Sequence, residues 1–390
     1  MSLRRETATS LLAVGVSRGL GAAGGIAAAR ILGPGERGEL GVLVAWGSVA
    51  GTAATCGMQF WVARQAARGA PFVAVLRLHS IALSSLVAVA VAAVLPFVPG
   101  ETAVAVGTYT IGWALGLLFL AVLNGSRRFA DMARAYAIAG SAYLALVLAL
   151  GAAGYASPPT VLLAGAAANA IPIWWGARVL RAASRQPSTD RYPDVLRESV
   201  PGGVGELLVY VLARADVVVV ALFLDAAQVG LYAVAATAAE GLLFLADAVA
   251  QVVLPRAARS GSVAFAAAAT AAVTGGAATI VAVLARPLVV LVFGEPFAEA
   301  AGPLRWLLPG AVAFAVWKVL GAEAAGAGRA VARASSTAVG VGVLLAGLLL
   351  VLASGYGLSA AAAAASCGYL ASAAVLGVSV RRLRSSAVST

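Results

Sequence analysis

Apolar residues run through this chain in blocks of about twenty, each closed by a short cluster of arginine, glycine, proline or acid. A helix rises about 1.5 Å per residue, so a block of that length crosses the roughly 30 Å hydrocarbon layer of a bilayer. Twelve such blocks can be drawn: Thr7 to Ala29, Leu40 to Ala63, Phe72 to Phe97, Thr102 to Leu123, Ala133 to Tyr155, Thr160 to Leu180, Ser199 to Phe223, Gly230 to Leu254, Ser262 to Ala285, Pro303 to Ala325, Ala332 to Ala353 and Gly357 to Val380. The longest polar break runs from Arg181 to Arg197 around Gln186-Pro-Ser-Thr-Asp190. No loop has room for a soluble catalytic domain.

The pattern is also duplicated. At a constant offset of 192, Leu32 falls on Leu224, Glu36 on Gln228, Gly38 on Gly230, Gln59 on Gln251, Arg64 on Arg256 and Gly69 on Gly261. One offset near half the chain length, held across two helices and a turn, points to an internal repeat. Each copy holds six spans, an even number, so both copies enter the membrane from the same side and the repeats are parallel. The expected fold is all-α and integral to the membrane, with twelve helices in two parallel six-helix repeats around a central cavity. The lobes fall at 1–181 and 198–390, the second with a short basic tail, and 182–197 is a cytoplasmic linker.

Charge sets the orientation. Twenty arginines, among them Arg64, Arg127, Arg128, Arg181, Arg256 and Arg381, fall at one set of helix ends, and only Arg30, Arg37, Arg286 and Arg305 fall at the other. By the positive-inside rule both termini are cytoplasmic, which suits a multi-pass protein of a bacterial inner membrane. The first block is full spanning length without a clear cleavage site, so it reads as helix one and not as a signal peptide.

Composition agrees: 62% of residues are hydrophobic, 11% are charged and the mean hydropathy is +0.95, well above soluble domains. The net charge of +11 lies in polar breaks and not along one face, which favours a topology signal over a nucleic-acid surface. One histidine and two separated cysteines argue against a metal site. No phosphate-binding loop of the G-x-x-x-x-G-K-[ST] type is present, so the chain is not expected to hydrolyse ATP, and no cofactor or catalytic residue is expected.

Eight ionisable residues nevertheless stand inside spans: Arg18, Glu206, Arg214, Asp216, Glu240, Asp247, Lys318 and Glu323. Left against lipid, the set would cost on the order of 20 kcal/mol, so it must line protein or water. By depth, Arg18, Arg214, Asp216 and Glu240 form a layer near the midplane, with Glu206, Asp247, Lys318 and Glu323 nearer the cytoplasm. Arg214 and Asp216, two apart, project to nearly opposite sides. Ion pairing, Arg214 with Glu240 and Lys318 with Asp247, is one reading of these charges. Arg18 differs, because the first six helices offer no intramembrane carboxylate, and it reads as a cavity residue for an anion. Small residues in helix one (Gly15, Gly19, Gly21, Gly24, Gly25) and helix seven (Pro201, Gly202, Gly203, Gly205) allow either close packing or bending. His79 reads as an interfacial packing group, with a proton relay as the alternative.

Ala29-Arg-Ile-Leu-Gly-Pro-Gly-Glu-Arg-Gly38, Ala213-Arg-Ala-Asp216 through Val229-Gly-Leu-Tyr-Ala-Val-Ala235, Leu254-Pro-Arg256 and Val292-Phe-Gly-Glu-Pro-Phe-Ala-Glu-Ala-Ala301 resemble, in that order, the polysaccharide and O-antigen flippase branch of the multidrug/oligosaccharidyl-lipid/polysaccharide exporter superfamily. The resemblance implies two rocking lobes that move an undecaprenyl-linked oligosaccharide by alternating access. It further implies cavity cations for the pyrophosphate (Arg18, then Arg214 and Lys318) and coupling or cavity acids among Glu206, Asp216, Glu240, Asp247 and Glu323. H+ or Na+, membrane lipids and polysaccharide assembly enzymes are the expected partners. A cation-coupled exporter of small molecules is the alternative. An integral-membrane glycosyltransferase or polymerase would need an outer loop that the sequence lacks.

Overall fold

The computed structural model describes residues 3–182, 190–244, 246, 264–326 and 330–388, and the side chains of 19–181, 190–244, 246, 265–324 and 331–381. Every described element is helical: α1 Leu3–Ala54, α2 Met58–Arg68, α3 Val73–Val94, α4 Gly100–Gly125, α5 Phe129–Ala152, α6 Pro158–Ala182, α7 Tyr192–Ala221, α8 Ala226–Glu240, α9 Ala264–Val283, α10 Ala285–Phe293, a 3-10 turn Glu295–Ala300, α11 Ala301–Gly326, α12 Ala330–Ala353 and α13 Leu358–Val388. Eight described helices are long and apolar enough to cross a membrane, and counting 19–54 with Met58–Arg68 as one span bent by 54° makes nine. With no competing water in hydrocarbon, a helix satisfies its backbone internally, so long apolar blocks take this form. The chain is an all-α, multi-pass membrane protein.

α1 comprises two helices that meet at a kink at Gly33 (φ 72, ψ 177), between the first two expected spans. The positive φ is cheap for glycine, and Pro34 then restarts the helix at a position that needs no backbone donor. Pro172, Pro201 and Pro309 lie inside α6, α7 and α11. The nine-residue α10 and the 3-10 turn fill the stretch between the expected ninth and tenth spans, which the sequence pattern left without structure.

The chain forms two compact units, one of Met1–Leu32 with Val42–Leu207, the other of Gly33–Gly41 with Leu208–Thr390. In the first, α2 and α3 pack on α4, and α4 and α5 pack on α6. Its core joins Met58 and Trp61 of α2, Leu76 of α3, Leu118 of α4 and Val195 at the start of α7. In the second, α13 packs on both α11 and α12, while α8 and α9 pack on α11. Small residues bring these helices together, since lipid offers no hydrophobic drive for association. Ser366 of α13 accepts from the Gly310 amide of α11 at 3.2 Å, and Ser372 donates to the Ser336 carbonyl of α12 at 3.1 Å.

The second unit also displays the repeat directly. A Cβ on Gly38 would press on the Ala226 carbonyl and stand 2.8 Å from the Gly230 nitrogen, whereas a Cβ on Gly230 would press on the Pro34 carbonyl and stand 3.1 Å from the Gly38 nitrogen. One turn on, a Cβ on Gly41 would lie 3.2 Å from that of Ala233. Positions 34, 38 and 41 map to 226, 230 and 233 at the offset found in the sequence, so the two copies of one stretch cross each other reciprocally.

Candidate functional site

Within the second unit, α7, α8 and α13 bring charges and phenols together. Arg214 Nη1 donates to Glu240 Oε1 at 2.7 Å and Nη2 to Oε2 at 3.2 Å, with about a third of each side chain exposed. The pairing expected between these residues is present, in the two-pronged form that suits a planar guanidinium. Asp216 is 2% exposed. Its Oδ1 accepts from the Val217 amide at 2.8 Å and its Oδ2 from the Tyr232 hydroxyl at 2.9 Å. The two neighbours in sequence thus have separate environments, as their angular separation on α7 requires: Arg214 partly open and ion-paired, Asp216 enclosed and held by neutral donors.

Tyr369 of α13 is half-buried, within electrostatic reach of Asp216, Glu240 and Arg214. Behind it stands an aromatic wall. Phe314 lies 4.9 Å from Tyr369 and stacks on Trp317 at 5.2 Å with planes 10° apart. The Lys318 ammonium sits 5.4 Å from the Phe314 ring centre, and the Arg333 guanidinium 5.3 Å from that of Trp317. Cations over ring faces are favourable. The core of the site is therefore one cation and two carboxylates backed by phenols, with Lys318 at its aromatic margin.

The other candidates are more dispersed. Glu206 is half-buried in the part of α7 that belongs to the first unit, and Glu323 is half-buried one turn beyond Lys318 in α11. Arg18 lies in α1 but outside the residues whose side chains are described, and Asp247 lies outside the described residues, so the expected Lys318–Asp247 pair falls there too. Tyr232, Tyr369, Phe314 and Trp317 were not anticipated. The one available signal was the tyrosine in Val229-Gly-Leu-Tyr232, an oxygen inside an otherwise apolar run.

The first unit holds a second polar cluster where α1 breaks before α2. His79 Nδ1 is 2.9 Å from the Tyr192 hydroxyl, and both residues border the break, where Cys56 takes φ 48 and Gly57 φ 76. A Cβ on Gly203 of α7 would stand 2.6 Å from the Gly57 nitrogen, so the start of α7 lies directly on the break. Close packing thus accounts for Gly203, and for Gly24, which faces the Tyr143 ring, but not for Gly19, Gly21 or Gly25, which have nothing within 4 Å. Among the described residues no cluster of histidine, cysteine and acid could hold a metal.

No family model and no curated protein matches the chain. Solved structures do. A multidrug resistance MATE family transporter of the MOP superfamily, inward-facing, superposes with a TM-score of 0.63 over 100% of this chain and 96% of its own at 18% identity. The lipid II flippase MurJ, inward closed, gives 0.70 over 95% and 87% at 13% identity. The Vibrio cholerae MATE transporter VcmN gives 0.65 over 98% and 96% at 15% identity. The chain shares their fold. At such identities the likeness speaks to architecture and leaves the substrate to the site.

Proposed function

We propose that this chain is a flippase, carrying undecaprenyl-pyrophosphate-linked oligosaccharide from the cytoplasmic to the outer leaflet of a bacterial inner membrane by alternating access of lobes 1–181 and 198–390, both termini cytoplasmic. The observation that carries the transport reading is full-length likeness to solved transporters, a lipid flippase among them. The lipid-linked substrate rests on Arg18, an intramembrane cation in six helices that offer it no intramembrane acid. Lys318 is the second headgroup contact. Arg214, already bound to Glu240, serves only when that pair opens. Outward movement of an anion from a negative interior gains about 2.3 kcal/mol per charge per 100 mV, and the chain has no need of catalytic chemistry or of a cofactor. The test is headgroup translocation in proteoliposomes: Arg18→Ala should abolish it, and a rate equal to wild type would remove Arg18 from the mechanism.

A second reading, a cation-coupled exporter of small molecules, is favoured by Asp216. An enclosed acid that accepts from one phenol and one amide can exchange a proton or Na+, with Glu240, Glu206, Asp247 and Glu323 as further acids. In a deletion strain the first reading strands lipid-linked sugar in the inner leaflet for want of delivery to polysaccharide assembly enzymes, and the second raises drug susceptibility.

A further inference from the structure

The first unit carries an apolar groove of about 190 Å³ where the ends of α2, α4 and α6 meet the start of α3, with Ala70, Phe72, Val122 and Leu180 in its walls. Four arginines adjoin lining residues in sequence: Arg68 before Gly69, Arg127 after Ser126, Arg178 before Val179 and Arg181 after Leu180. All four are exposed. Among the described residues none of the four forms an ion pair, although Arg128 and Arg134 nearby both share Asp131. Arg127 moreover holds φ 54, a left-handed backbone that arginine rarely takes, at the turn that ends the α4 wall.

We infer that this groove binds an anionic glycerophospholipid, one acyl chain along the apolar walls and the phosphate among Arg68, Arg127 and Arg181. A positive-inside bias requires arginines at this membrane face, but it does not require four of them next in sequence to the lining of one apolar recess; of the four, Arg178 stacks on the Trp174 ring at 5.6 Å, which leaves Arg68, Arg127 and Arg181 for the headgroup. Basic recesses between helix ends at this level select anionic headgroups, because each arginine contributes attraction that a zwitterion cannot return. Guanidinium forks also match phosphate oxygens. The occupant is a resident lipid of the bilayer, and the assignment does not depend on what the chain transports.

The full chain, purified in detergent, would be titrated with phosphatidylglycerol and separately with phosphatidylcholine, and bound lipid counted by native mass spectrometry. Phosphatidylglycerol should bind at least tenfold tighter. Arg68→Gln, Arg127→Gln and Arg181→Gln together should weaken it by about a hundredfold, while the same three changed to lysine should retain most of it. Ala70→Trp, a loop change that fills the groove and leaves the charges, should also displace the lipid. Equal loss from Arg134→Gln, Arg191→Gln and Arg197→Gln together would overturn the assignment by showing a merely diffuse charge effect. Displacement of phosphatidylglycerol by an equal concentration of polyprenyl pyrophosphate would overturn it too, giving the groove to the transported lipid.

Discussion

Arg214 and Glu240 are joined by two parallel hydrogen bonds, of 2.7 and 3.2 Å, between adjacent helices. Each member offsets the other's desolvation, and removing one leaves the other's charge less compensated in a largely apolar setting. Glu240→Gln should therefore lower stability by about 2–3 kcal/mol, less than for a fully buried pair because a third of each side chain is exposed. The double variant Arg214→Gln, Glu240→Gln should recover more than half of the loss, read as thermal unfolding in detergent.

Asp216 makes a different prediction. Tyr232→Phe removes one of its two donors without creating a cavity and should cost about 1–2 kcal/mol. Asp216→Asn keeps the shape and removes the charge. If Asp216 carries the coupling cation, transport by that variant should lose its dependence on a pH or Na+ gradient while the protein still folds. An unchanged gradient dependence would exclude the role.

Glycines divide cleanly by what surrounds them. Gly230→Ala drives a Cβ into the Pro34 carbonyl, which only backbone movement can relieve, so it should cost more than about 3 kcal/mol or prevent folding. Gly25→Ala has nothing within 4 Å and should be neutral or stabilising by up to about 1 kcal/mol. Expression and thermal stability of the two variants compare them directly.

At the α1–α2 break, the bond between His79 and Tyr192 should matter more than the ion pair beside it. Arg64 and Glu198 are 2.6 Å apart, but both are about half exposed, and such pairs contribute roughly 0–1 kcal/mol. Tyr192→Phe removes a partner from a buried imidazole and should speed amide exchange at the start of α7 about fivefold, the equivalent of about 1 kcal/mol. Arg64→Gln should change that rate by less than twofold. Hydrogen exchange by mass spectrometry resolves the difference.

Spans, repeat and the Arg214–Glu240 pair were legible for a common reason: each depends on spacing, and spacing survives in one dimension. Arg214 and Glu240 could be matched because opposite charges at one depth on consecutive helices have few other places to go. Tyr232 and Tyr369 could not, since a phenol in an apolar run looks the same whether it faces lipid, a ring or a carboxylate. The short α10 was missed because the search for spans passes over apolar stretches of nine residues. The break between the first two helices was legible, but not its economy: a single residue of positive φ, Gly33, makes it. The small residues of helix one were legible as a group but not individually, because whether a glycine is needed depends on a neighbour far away in sequence.

The reciprocal crossing of Gly38 and Gly230 carries a consequence for how such a chain can change over time. After duplication, most positions in one copy are free to drift away from their counterparts. Here each copy is the other's mould, so an altered residue on either side must be accommodated by its own twin, and the two stretches age together.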